Sequence, residues 1–122
     1  MKIIVCGGRD YLDYPRVKQA LDALHSRRAI LRLIEGGARG ADTMGRIWAT
    51  EKKIPYTEVP AEWGKYGKKA GFIRNGEMLE YKVNLVVAFP GGSGTEHMIA
   101  LSKLRHVPVW QPYKLRKIPE FL

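Results

Sequence analysis

Short apolar runs recur along the chain, each followed by a glycine or polar turn and then by a stretch with helical spacing. Residues 3–6 (IIVC) are apolar without alternation and stop at Gly7-Gly8, as expected of a strand buried on both faces and ended by a loop. Over residues 14–28, Val17, Ala20, Leu21 and Leu24 fall on one helical face, with Pro15 near the start, where its missing N–H costs little. Residues 30–34 read as a second strand into Gly36-Gly37, after which Ala41, Met44 and Trp48 mark a helix that ends before Pro55. Residues 56–59 read as a third strand. Residues 84–89 (NLVVAF) read as a fourth, followed by a third glycine loop and a helix bearing Met98, Leu101 and Leu104. Residues 107–110 close the series.

Strands alternating with helices predict a parallel sheet covered on both faces and joined by right-handed crossovers. The expected fold class is α/β: one Rossmann-like three-layer domain over residues 1–122 with a mostly parallel five-stranded sheet. Residues 61–82 (AEWGKYGKKAGFIRNGEMLEYK) break the alternation, beginning as a Gly- and Lys-rich loop and becoming helical near Gly71. Loops of that length in a compact domain often carry function. No linker, internal repeat or low-complexity segment interrupts the chain, and residues 113–122 read as a solvated basic end.

Length and charge refine this picture. The 122 residues suit one domain with a real core. Lys and Arg number 21 against 12 Asp and Glu, a net charge of +9, which favours anionic partners such as phosphates, nucleic acid or acidic lipid. The lone Cys6 lies inside an apolar run and has no intrachain partner, so a buried, inert thiol in a reducing cytoplasm is expected. The apolar run after the first two residues is too short for a signal peptide or membrane span, which predicts a soluble protein with no membrane partner.

Three loops then claim attention: CGGRD at 6–10, EGGARGAD at 35–42 and PGGSGT at 90–95. In an open parallel sheet all strand-to-helix loops lie at the carboxyl edge, where ligands bind. Glycine lets the backbone approach a ligand, and the helix that follows offers unpaired N–H groups and a positive dipole end to phosphate. The G-x-x-x-x-G-K-[ST] and G-x-G-x-x-G patterns are missing, which argues against a Walker-type nucleotide hydrolase and a standard dinucleotide fingerprint. His25, His97 and His106 are scattered and read as surface or packing residues, so neither a metal nor a cofactor is expected. Ser93 fits a phosphate-contacting loop residue better than a nucleophile.

The motifs GGRD, GGARGAD followed by Trp48-Ala49, EWGKYGKKAGFIRN and FPGGSGT, in that order over nearly the whole chain, resemble the YspA, cpYpsA-related branch of the SLOG superfamily. That resemblance implies a Rossmann-like domain for nucleotides or nucleotide-derived ligands, frequent in bacteria and their phages; a phage-encoded copy would act in the host cytoplasm. PGGSGT and RNGEM also resemble motifs of the Lonely Guy phosphoribohydrolases, which cleave the N-glycosidic bond of cytokinin nucleoside monophosphates. By that resemblance Arg74 takes the active-site arginine's place. The catalytic glutamate of those enzymes falls at Met98 here, leaving Glu96, two positions earlier and roughly 200° round the helix, as the other catalytic candidate. ARGAD and Arg74-Asn75 resemble loops of DprA, a single-stranded DNA-binding protein; Trp63 and Tyr66 beside Lys65, Lys68 and Lys69 offer the stacking rings and cations that such binding uses.

The candidate ligand contacts are Gly7, Gly8, Arg9 and Asp10 in the first loop, and Gly36, Gly37, Ala38, Arg39, Gly40 and Asp42 in the second. Arg74 and Asn75 follow, with Pro90, Gly91, Gly92, Ser93, Gly94 and Thr95 in the third loop. Arg39 and Arg74 lead for phosphate, because guanidinium offers planar bidentate donors. Asp10 fits a helix cap or a ligand contact, and Asp42 a first-turn carboxylate held by the helix dipole or a ligand contact. Glu35 fits either a ribose-binding carboxylate or a water-exposed strand end, and Trp63 either a base-stacking ring or a packed one. The expected partner is a nucleotide-derived small molecule, with nucleic acid second and a homo-oligomer open.

Overall fold

The computed structural model describes residues 1–120; Phe121 and Leu122, the end of the expected solvated tail, lie outside it. The elements run β1 (Lys2–Cys6), α1 (Tyr14–Arg27), β2 (Arg32–Glu35), α2 (Ala41–Glu51), β3 (Tyr56–Glu58), a one-turn α3 (Trp63–Tyr66), a 3-10 turn (Gly67–Lys69), α4 (Ala70–Leu79), β4 (Leu85–Ala88), α5 (Ser93–Leu104) and β5 (Val109–Trp110). All pairings are parallel and the order is β3-β2-β1-β4-β5. The α/β Rossmann-like expectation therefore holds, with an entirely parallel sheet. Strand order reverses at β1, which lies beside both β2 and β4, and that is where doubly wound folds open a crevice.

The unbroken apolar strands follow from two covered faces. Along β1, Ile3 and Val5 enter one core with Val17, Leu21 and Leu24 of α1 and Met44 and Trp48 of α2, while Ile4 and Cys6 enter the other with Met78 of α4 and Met98 of α5. The α1 start is capped by Asp13, whose Oδ1 accepts the Arg16 N–H at 3.2 Å. Asp10, for which a cap was one of two readings, is not the cap.

Strand ends differ from the sequence pattern for identifiable reasons. Ile30 is buried, but its N–H donates to His25 Nδ1 at 2.9 Å and the next N–H, of Leu31, to the Met1 carbonyl at 2.8 Å, so β2 starts two residues later. Val107 donates to the Ser102 carbonyl at 2.8 Å, closing the end of α5, so β5 shrinks to two residues. The irregular stretch resolves into α3, the 3-10 turn and α4, the last beginning one residue before Gly71.

Candidate ligand-binding cleft

The loops after β1, β2 and β4 meet at the carboxyl edge of the sheet and are stitched together by backbone. The Gly8 N–H donates to the Pro90 carbonyl at 2.8 Å, and the Gly8 carbonyl accepts the Ala41 N–H at 3.2 Å. Gly40, the N-cap of α2, has φ +78°, and a Cβ there would lie 2.5 Å from the Arg9 carbonyl oxygen and against that of Gly8. Only glycine fits so close a crossing. Arg39 and Asp10 add an exposed ion pair at 3.0 Å between the first and second loops.

From the other side α4 supplies two ties. Arg74 Nη1 donates to the Gly36 carbonyl at 2.5 Å, and Asn75 Nδ2 reaches the Gly94 carbonyl at 3.1 Å. Asn75 Nδ2 also lies 3.0 Å from His97 Nδ1, and the His97 ring stacks on Phe72 at 4.1 Å between centroids. Gly71, Asn75 and Met78 fall at i, i+4 and i+7, so one face of α4 looks onto the loops.

Between these parts is a cleft of about 440 Å³, within the usual range for small-molecule sites. Of the expected contacts, Gly7, Gly8, Arg9, Ala38, Asp42, Arg74, Asn75, Gly92, Ser93, Gly94, Thr95 and Trp63 line it. Gly36, Gly37 and Arg39 line an adjoining cleft of about 420 Å³. Gly40, Asp10, Pro90 and Gly91 line neither; Pro90 and Asp10 bond to neighbouring loops, and Gly40 and Gly91 lie close against the first loop.

The floor is the start of α5. Its N-cap, Gly92, brings no side-chain capping bond, and a Cβ built on Gly92 or Gly94 would meet nothing within 4 Å. The start of a 12-residue helix, without a side-chain cap, thus lines the cleft, a setting that attracts anions. Above it stand Trp63 and Phe72, 49% and 46% exposed, with Lys68 beside them and the Arg9 guanidinium 5.5 Å from the Trp63 ring centroid. Phe72 was not among the expected cleft residues, and Lys68 was expected only as a cation for single-stranded DNA. The helical spacing of Gly71, Asn75 and Met78 was the available signal for this face, although the exposed Phe72 carried no periodic mark of its own.

Two carboxylates are buried here, Asp42 in the lining of the cleft and Glu35 behind it. Asp42, 6% exposed, accepts the Ala38 N–H at 3.2 Å. Burial pushes its pKa up to about 6, against the opposing pull of the Ala38 N–H and Arg74. Glu35 is fully buried; its Oε1 accepts the Gly37 N–H at 2.6 Å and its Oε2 has no partner. Burial raises it to about 7, opposed by the Gly37 N–H, with Asp42 and Glu58 adding to the rise. Glu35 is thus neither water-exposed nor a lining residue of the cleft: it is sealed beneath the second loop and shapes it. Burial also raises the Cys6 thiol far above its ordinary value, which keeps it protonated.

The structure does not bring Glu96 to the cleft. It is exposed in the first turn of α5, while Met98 is fully buried in the core. Among the described residues no group of three His, Cys, Asp or Glu side chains is arranged to hold a metal ion, and no helix is long and apolar enough to cross a membrane.

A family model described as the YspA, cpYpsA-related SLOG family matches residues 1–66, which carry the first two glycine loops. The chain is also similar to the Gene 61 protein of Mycobacterium phage D29, 34% identical over 116 residues that cover 88% of this chain and 93% of that protein. No solved structure matches.

Proposed function

The chain belongs to the YspA, cpYpsA-related SLOG family, and from that premise we propose that its cleft binds a phosphorylated nucleotide or nucleotide-derived ligand, with a phosphate at the start of α5. The observation that carries this reading is the convergence of three strand-end loops on one cleft whose floor is an uncapped helix N-terminus with open space above Gly92 and Gly94. Oriented N–H groups and the helix dipole would hold the phosphate oxygens, with the Ser93 and Thr95 hydroxyls as further donors. Arg9, Lys68 and Arg74 supply cations around it. Trp63 and Phe72 offer faces for the base.

A binding role, sensing or sequestering a nucleotide signal, fits these groups better than glycosidic hydrolysis. An oxocarbenium-like transition state calls for a carboxylate beside the sugar. Glu96 is outside the cleft and Glu35 is sealed off; Asp42 lines the cleft but is 6% exposed and turns its Oδ2 to the Ala38 N–H of the second loop. The test is incubation of the purified protein with nucleoside monophosphates, dinucleotides and cyclic nucleotides, followed by mass spectrometry of both the solution and the denatured protein. The expected result is intact nucleotide recovered from the protein. Free base in solution would make the protein a hydrolase, and the absence of both retention and turnover would overturn nucleotide binding altogether.

A further inference from the structure

The adjoining cleft makes a second compartment of similar volume, about 420 against 440 Å³. It is floored by the Gly36-Gly37 turn and walled by Arg39, Pro60 and Ala61. The two compartments are not independent, because Arg9, Trp63 and Arg74 line both. The divide therefore carries two guanidinium groups and an indole, with Arg9 lying over the Trp63 ring.

Charge is concentrated where the compartments meet. Arg74 spends Nη1 on the Gly36 carbonyl and keeps its Nε–H buried without a partner, so this planar donor set is incompletely used in a place where an unpaired donor is costly. The divide is also next to the start of α5: Gly8, the neighbour of Arg9, bonds to Pro90, and Asn75, the neighbour of Arg74, bonds to Gly94. An anionic bridge starting at the α5 N–H groups would meet Arg9 and Arg74 next, then open into the second compartment.

We propose that the ligand is a dinucleotide, two nucleoside units joined by a diphosphate bridge, with one nucleoside in each compartment and the bridge running from the start of α5 to Arg9 and Arg74. This rests on the nucleotide reading of the first cleft and names the class of ligand it takes. Occupying the second compartment adds contacts without a second loss of translational freedom, so bridged ligands bind more tightly than their halves.

The test is calorimetric titration with the ribonucleoside monophosphates and with their symmetric 5′,5′-diphosphate-bridged dimers, at fixed ionic strength and a pH where the two classes carry similar charge. At least one bridged dimer is expected to bind at least ten-fold more tightly than its monophosphate. Ala61→Trp, which fills the second compartment, is expected to remove that advantage while leaving monophosphate affinity within about two-fold. Equal affinity for the two classes in the wild-type protein would overturn the dinucleotide assignment and leave the first cleft intact as a mononucleotide site. Tighter binding of a single-stranded decanucleotide than of any dimer would overturn it in favour of a strand. Failure of every monophosphate and every dimer to bind would overturn the nucleotide reading beneath it.

Discussion

At the residue scale, the buried acids set an unusual pH response. Glu35 and Asp42 have folded-state pKa values raised to about 7 and about 6 from ordinary values of 4.5 and 3.8. The folded protein therefore binds these protons more tightly than the unfolded chain, and stability falls as pH rises from about 4 to about 7. Asp22 behaves oppositely. Its burial raises the pKa, but hydrogen bonds from Trp48, Lys18 and Lys52 outweigh it and hold the group at about 2, so its contribution is lost as pH falls from 3.8 toward 2. Thermal unfolding midpoints are expected to peak near pH 4. Glu35→Gln keeps an oxygen for the Gly37 N–H and removes the titrating group, so it flattens the decline between pH 4.5 and 7. An unchanged slope in that variant would show that Glu35 does not titrate there.

At the element scale, α1 and α2 are joined through Asp22, whose Oδ1 accepts the indole N–H of the fully buried Trp48 at 2.9 Å and lies 3.1 Å from Lys52 Nζ. Asp22→Ala strands that indole N–H, at a cost of about 1–3 kcal/mol readable by urea unfolding. Asp22→Asn, which keeps an acceptor, is expected to recover most of it. Gly40→Ala is predicted to be worse, because a left-handed φ and a collision with the first loop combine, and the loop connecting β2 to α2 cannot move without breaking the bond from Ala41 to Gly8. These elements were legible in the sequence where their pattern was strong. Residues 3–6 and 85–88 are apolar on both sides because helices cover both faces, and Val17, Leu21 and Leu24 keep strict helical spacing. What was illegible depended on tertiary bonds. The first residues of the expected second strand are diverted to His25 and Met1, Val107 is captured by the end of α5, and nothing local marks Glu35 as buried, because its cover comes from a loop folded back by its own carboxylate.

At the scale of the whole molecule, the strand order explains why three separated glycine loops form one cleft: β1 lies between β2 and β4, so the loops following all three emerge side by side. The sequence could show that these loops share an edge, but the order of the strands, and hence which loops are neighbours, came from pairings between distant residues such as Val5 with Val87 and Ile4 with Ile34. The wall opposite the loops was harder to read. Phe72 lines the cleft from α4, which is tied to the loops through Arg74 and Asn75, and Lys68 from the 3-10 turn just before it.

The most direct test of the central claim uses Gly94, because nothing in the protein itself needs that position to be glycine. A methyl group there enters open space at the start of α5, and alanine favours the helix by up to about 1 kcal/mol over glycine. Titration of wild-type protein and Gly94→Ala with the tightest-binding nucleotide, beside their thermal unfolding midpoints, separates ligand approach from folding. Close approach of a phosphate to this backbone predicts a variant at least as stable as the wild type that binds at least ten-fold more weakly. Equal affinity in the two proteins would contradict a phosphate at the start of α5.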